Sequence, residues 1–95
     1  YYNEAIKYNP NYADAYIALG DIFLNENNVY KAISQYSSAV ESNPNYPKGH
    51  FHLAKAFIER GMDDAAISEL KETLHLQEDH KEAKELLQKL TEDKE

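Results

Sequence analysis

Apolar residues along this chain recur at three- and four-residue intervals, and the recurrence is interrupted only at short clusters of Asn, Pro and Gly. Such spacing puts one apolar stripe on each of a series of helices, and no stretch alternates as a half-buried strand would. Residues 1–8 read as a helix that stops before Asn9-Pro10, because a residue preceding Pro is pushed out of the helical region. A second helix is expected over Tyr12–Asn25, with Asn11 as its N-cap and Tyr16, Leu19, Ile22 and Phe23 on one stripe. Residues 25–28 form a turn. The next helix, Val29–Ser42, turns Ala32, Ile33, Tyr36, Ala39 and Val40 inward until Asn43-Pro44 ends it.

The plan then repeats. Asn45 is the expected cap and Pro47 sits in the first helical turn, where its missing amide hydrogen costs nothing. This helix runs to Arg60, and Gly61 follows in a position that tolerates a left-handed backbone. Met62–Leu76 is the partner helix, with Ala66, Ile67, Leu70 and Leu74 inward. Asp79 with Glu82 reads as a capping box opening a last helix, His80–Thr91. Its Ala83, Leu86, Leu87 and Leu90 share a face, and Glu85 precedes Lys89 in the favourable pairing order. The charged residues 92–95 are expected to fray.

Asn-Pro-Asn-Tyr occurs at residues 9–12 and again at 43–46, an offset of 34 residues. On that ruler Tyr2, Tyr36 and Leu70 align, as do Ala5, Ala39 and Thr73, then Leu19, Leu53 and Leu87, and Phe23 with Phe57. Ala32-Ile33 recurs as Ala66-Ile67, Gly20 as Ala54, and Ala15 as Gly49 and Ala83, so small positions stay small and large apolar ones stay large. A period of this size, carried by helices, means stacked helical hairpins.

The spacing resembles that of tetratricopeptide repeats, whose signature is Trp-x2-Leu-Gly-x2-Tyr, then Ala-x3-Phe, then Pro. Here the first full repeat reads Tyr16, Leu19, Gly20, Phe23, Ala32, Tyr36, Ala39 and Pro44. The second reads His50, Leu53, Ala54, Phe57, Ala66 and Leu70, with Glu78 where Pro would fall. The resemblance implies an all-α, right-handed α-solenoid of antiparallel helix-turn-helix repeats with a C-terminal capping helix. One domain over 1–95 is expected to comprise the second helix of a truncated repeat (1–10), full repeats over 11–44 and 45–78, and the cap (79–92). Because the first hairpin begins with its second helix, the chain is read as part of a longer array. Its edge at Tyr1, Tyr2, Ala5 and Ile6 is then open for self-association, since repeats bury their faces only against neighbours.

Composition narrows the chemistry. Ninety-five residues make one small domain. The absence of Cys excludes disulfides, thiol nucleophiles and thiolate zinc sites and leaves the compartment open, with the cytoplasm favoured. A net charge of −7 opposes a polyphosphate partner, so no nucleic acid is expected. No apolar run approaches the length of a membrane span, so no membrane insertion is expected either. His50 and His52 cannot share a helix face and His75 and His80 straddle a turn, which leaves no metal set. Asp63-Asp64 is explained by its place at a helix start. With no nucleophile constellation and no phosphate loop, neither an enzyme nor a cofactor is expected.

The resemblance also implies a function, since such domains bind peptide segments of partner proteins in a concave groove lined by the first helix of each hairpin. Mapped onto this chain, that groove is expected to present Asp14, Ile17, Ala18, Asp21, Leu24 and Asn25 from the first repeat. The second repeat would add Lys48, Phe51, His52, Lys55, Ile58 and Glu59. Lys48, His52 and Lys55 lie one turn apart and form the expected seat for an acidic or C-terminal group, with Ile17, Phe51 and Ile58 beside it for an apolar side chain. The carboxylate clamp of certain co-chaperones is matched only at Lys48, because His52 stands where that clamp has arginine and Ala18 where it has asparagine. Homotypic assembly through the N-terminal edge, and an adaptor role within a larger enzyme or co-chaperone, are the alternative readings.

Overall fold

The computed structural model describes residues 12–93, with side chains from 13 to 92. The expected helix over 1–8, the Asn11 cap and the self-association edge at Tyr1, Tyr2, Ala5 and Ile6 lie outside the described residues. Five helices follow one another: α1 (Tyr12–Asn25), α2 (Val29–Ser42), α3 (Pro47–Glu59), α4 (Asp63–Leu76) and α5 (Lys81–Asp93). Among the described residues there is no strand. α1 packs on α2 and α3 on α4 as hairpins, α2 meets α3, and α4 meets α5. This is the connectivity of an all-α stack of helical repeats.

The turns show why the helices stop where they do. Asn27 closes the α1–α2 turn at φ 62° and Gly61 closes the α3–α4 turn at φ 78°, so the left-handed residue recurs at the same place in both hairpins. Asn tolerates that conformation because its short polar side chain bonds locally, and Gly because it has no Cβ. In both turns the next amide folds back to a Phe carbonyl one repeat apart: Asn28 N–H to Phe23 O at 2.8 Å, and Met62 N–H to Phe57 O at 2.8 Å.

Two expected caps are replaced. Tyr46, not Asn45, occupies the N-cap of α3, because the residue before Pro47 is held extended (φ −103°, ψ 104°) and that residue is Tyr46. At α5 the ring Nδ1 of His80 accepts from the Ala83 amide at 3.1 Å, so His80 does the capping assigned to the Asp79–Glu82 pair. Asn28 caps α2 by accepting from the Lys31 amide at 3.4 Å.

The interior is built from small residues and a few large ones. Ala32, Ala39, Ala54, Ala56, Ala66 and Ala83 are fully covered, as are Tyr36, Leu70 and Thr73. One cluster gathers Ile17, Ala32, Tyr36, Ala39, Leu53 and Ala56, a second gathers Phe51, Ala54, Ala66, Leu70, Ala83 and Leu90, and Phe57 packs against both. A Cβ at Gly20 would lie within 2.8 Å of Tyr36 Cζ and closer still to Cε1, so the ring rests on bare backbone. Ile22 departs from the expected stripe and is 53% exposed. At about 100° per residue it lies on the far side of α1 from Ala13, Ile17 and Gly20, around which burial is centred.

At the turn edge, the Arg60 guanidinium lies 4.0 Å from the centroid of the Tyr30 ring and donates to its hydroxyl, joining the two hairpins at the surface.

Candidate functional site

The first helices of the two hairpins, α1 and α3, carry the expected lining positions, α5 follows α3 at the same place on the ruler, and the intervals α1–α3 and α3–α5 differ. Between α1 and α3 the polar groups are already engaged with one another. Asp21 accepts from the Tyr36 hydroxyl at 2.5 Å and stands 3.5 Å from His52 Nδ1. The Tyr36 and His52 rings lie 5.5 Å apart. Asp14 accepts from the Tyr46 hydroxyl at 2.5 Å. The Asp21–Tyr36 bond lies within the first repeat, whereas the His52 and Tyr46 contacts join it to the next and give the Tyr of the second Asn-Pro-Asn-Tyr copy a defined structural task.

Electrostatics agree with that assignment. The Tyr36 hydroxyl is pushed well above its ordinary range, first by burial and then by the Asp21 carboxylate that accepts its hydrogen bond. The Tyr46 hydroxyl is raised chiefly by its bond to Asp14. Burial holds His52 below its ordinary value of 6.5, Asp21 opposes that shift, and Lys55 and Lys48 add to it. Burial thus favours the neutral form of the His52 ring, which stands beside Asp21.

Of the three apolar positions expected to meet a ligand, Ile17, Phe51 and Ile58, the first two are largely covered. Ile17 is 3% exposed and belongs to the core of the first hairpin, and Phe51 retains 7%. Leu24 and Ile58 are half-buried against the first and second clusters. Asp14, Asp21, Lys48 and Lys55 are exposed.

The interval between α3 and α5 is open. A cavity of about 410 Å³ lies there, lined by Phe51 and Lys55 from α3 and by Glu82, Glu85, Leu86 and Lys89 from α5. Its floor is apolar: Phe51, with the His80 ring 4.5 Å from its own, and Leu86. Lys55 Nζ lies 5.3 Å from the Phe51 centroid. The four α5 residues were missed because that helix was read only as a cap. The 34-residue ruler had the signal, since it carries Lys48, Phe51, His52 and Lys55 onto Glu82, Glu85, Leu86 and Lys89.

His50 has a structural place. His50 is 6% exposed, with Nδ1 at 2.7 Å from Glu69 Oε1 and Nε2 at 2.8 Å from the Pro44 carbonyl oxygen. It fills the large-aromatic position of its repeat while tying α3 to α4 and to the turn before it.

Comparison with protein families finds two matches to models of the tetratricopeptide repeat, one over residues 28–90 and the other over residues 1–47. The chain belongs to the tetratricopeptide repeat family. No curated protein is matched by it. Tetratricopeptide repeats are in general protein–protein interaction modules and typically non-catalytic scaffolds. Among the described residues of this one, no helix is long and apolar enough to cross a membrane.

Proposed function

We propose that this tetratricopeptide repeat segment is a non-catalytic scaffold that binds a peptide segment of a partner protein along the groove between α3 and α5. The observation that carries this reading is the cavity of about 410 Å³, with Phe51 and Leu86 beneath and charged side chains around it. A site that combines an apolar floor with a few polar groups takes a side chain by desolvation and orients it by charge. The α1–α3 interval supports the groove differently, through the Asp21–Tyr36–His52 and Asp14–Tyr46 contacts that fix how one repeat meets the next.

The test is selection from a random peptide library displayed against the protein, followed by titration of the enriched peptides against Leu86→Arg. Placing a long charged side chain over the floor should weaken binding by about tenfold or more, equivalent to at least about 1.4 kcal/mol. Unchanged affinity, with Leu86→Arg folded by circular dichroism, would show that the peptides bind elsewhere.

A further inference from the structure

The charges around the groove are sorted by position. On α5, Glu82 and Glu85 come first and Lys89 follows, while Lys55 of α3 holds the position that the ruler equates with Lys89. Around the cavity itself the lining is therefore acidic toward one end and basic toward the other, with Phe51 and Leu86 between, while Lys48, which the ruler sets level with Glu82, does not line it. Among the described residues no ion pair neutralises Glu82, Glu85, Lys55 or Lys89. This contrasts with the α1–α3 interval, where Asp14 and Asp21 already accept from tyrosine hydroxyls. Glu82 also lies in the first turn of α5, where a carboxylate favours the helix dipole. That role does not account for Glu85, nor for two lysines converging on the other end.

We infer that the groove selects its ligand by charge order: it takes a peptide with a basic residue and an acidic residue on either side of an apolar one. The basic residue faces Glu82 and Glu85, and the acidic residue faces Lys55 and Lys89. From Glu82 to Lys89 the axis of α5 advances roughly 10 Å, at about 1.5 Å per residue. In an extended ligand that distance takes about three residue steps, at roughly 3.3 Å each, so two residues stand between the basic and the acidic one. The apolar residue falls between them, over Leu86. A purely acidic segment, the ligand suggested by lysines alone, would place a carboxylate against Glu82 and Glu85, where like charges repel. This inference rests on the proposed peptide-binding groove and specifies the class of peptide that the groove takes.

The experiment uses synthetic peptides in three versions, named by their ends and centre base-Leu-acid, acid-Leu-acid and base-Leu-base, each with one alanine beside the leucine to set the charged residues three steps apart, titrated by fluorescence anisotropy at low salt. The mixed peptide should bind about tenfold more tightly than either uniform one, a difference of about 1.4 kcal/mol. Lys55→Glu with Lys89→Glu should transfer the preference to base-Leu-base. Glu82→Lys with Glu85→Lys should transfer it to acid-Leu-acid. If all three peptides bind equally and all are lost in Leu86→Arg, the charge-order inference is overturned while the groove reading stands. If binding ignores Leu86→Arg, or no peptide binds, both are overturned.

Discussion

The two complete hairpins occupy the same positions on one 34-residue ruler and fill them with different chemistry. In α1–α2 the bare backbone of Gly20 receives the ring of Tyr36, whose hydroxyl is anchored on Asp21. In α3–α4 the corresponding pair is Ala54 with Leu70, both fully covered and wholly apolar. The position of Tyr16 in the first hairpin is held in the second by His50, whose ring nitrogens reach Glu69 and the Pro44 carbonyl. A repeat thus specifies volumes at fixed positions, and each copy is free to supply that volume with a tethered aromatic or a plain aliphatic. The polar groups left after those choices decide which interval, α1–α3 or α3–α5, is tied up and which stays open.

The largest effects come from exchanging the two solutions. Tyr36→Leu alone removes a buried ring and its hydroxyl bond and should cost about 3 kcal/mol. Gly20→Ala alone should cost about 1.5 kcal/mol, overpacking of about 2 to 3 kcal/mol offset by about 1 kcal/mol of helix propensity. Together they reproduce the Ala54–Leu70 pair, so the double variant should be less destabilised than the sum by at least about 1 kcal/mol. Urea denaturation of the four proteins reads this coupling, and simple additivity would break the comparison.

Next in size is the polar pair of the second hairpin. Glu69→Leu leaves the buried His50 Nδ1 without its partner and should cost about 2 kcal/mol in thermal or urea unfolding. Glu69→Gln, which keeps a hydrogen-bonding group there, should recover most of that loss.

A smaller effect separates the two turns. Gly61→Ala forces a Cβ onto a backbone at φ 78° and should cost about 1 kcal/mol, although open space surrounds the site. Asn27→Gly makes the first turn like the second and should shift stability by no more than about 0.5 kcal/mol.

The smallest effect is electrostatic. Burial lowers the folded-state pKa of His52, so the unfolded chain binds its proton more readily. The stability associated with this ring is present above the ordinary value of 6.5 and is lost as pH falls through that value toward the lower folded one. Melting temperatures of wild type and His52→Gln, compared across that window, should converge as the pH drops. Parallel curves would show that the ring titrates as it does in the unfolded chain.

Helices, turns and the small-residue positions were legible in the sequence because period and punctuation are local. The exposed Ile22 was not, since choosing the inner face of α1 requires knowing that burial centres on Ala13, Ile17 and Gly20. Asp21 and His52 illustrate a second limit. Each lies on a lining position, but their proximity to each other and to Tyr36 depends on how α1, α2 and α3 meet. The cavity-lining residues of α5 fall in another category: the ruler places Glu82, Glu85, Leu86 and Lys89 level with α3 positions already singled out, and reading the helix as a cap hid them.

The most direct measurement is an amide chemical-shift map of the protein during titration with a library-selected peptide. The account predicts that the largest shifts fall on Phe51, Lys55, Leu86 and Lys89 of α3 and α5, with little change at Tyr30 and Arg60 on the turn edge. Shifts concentrated at that edge, or along α2 and α4 with the α3–α5 groove silent, would contradict it.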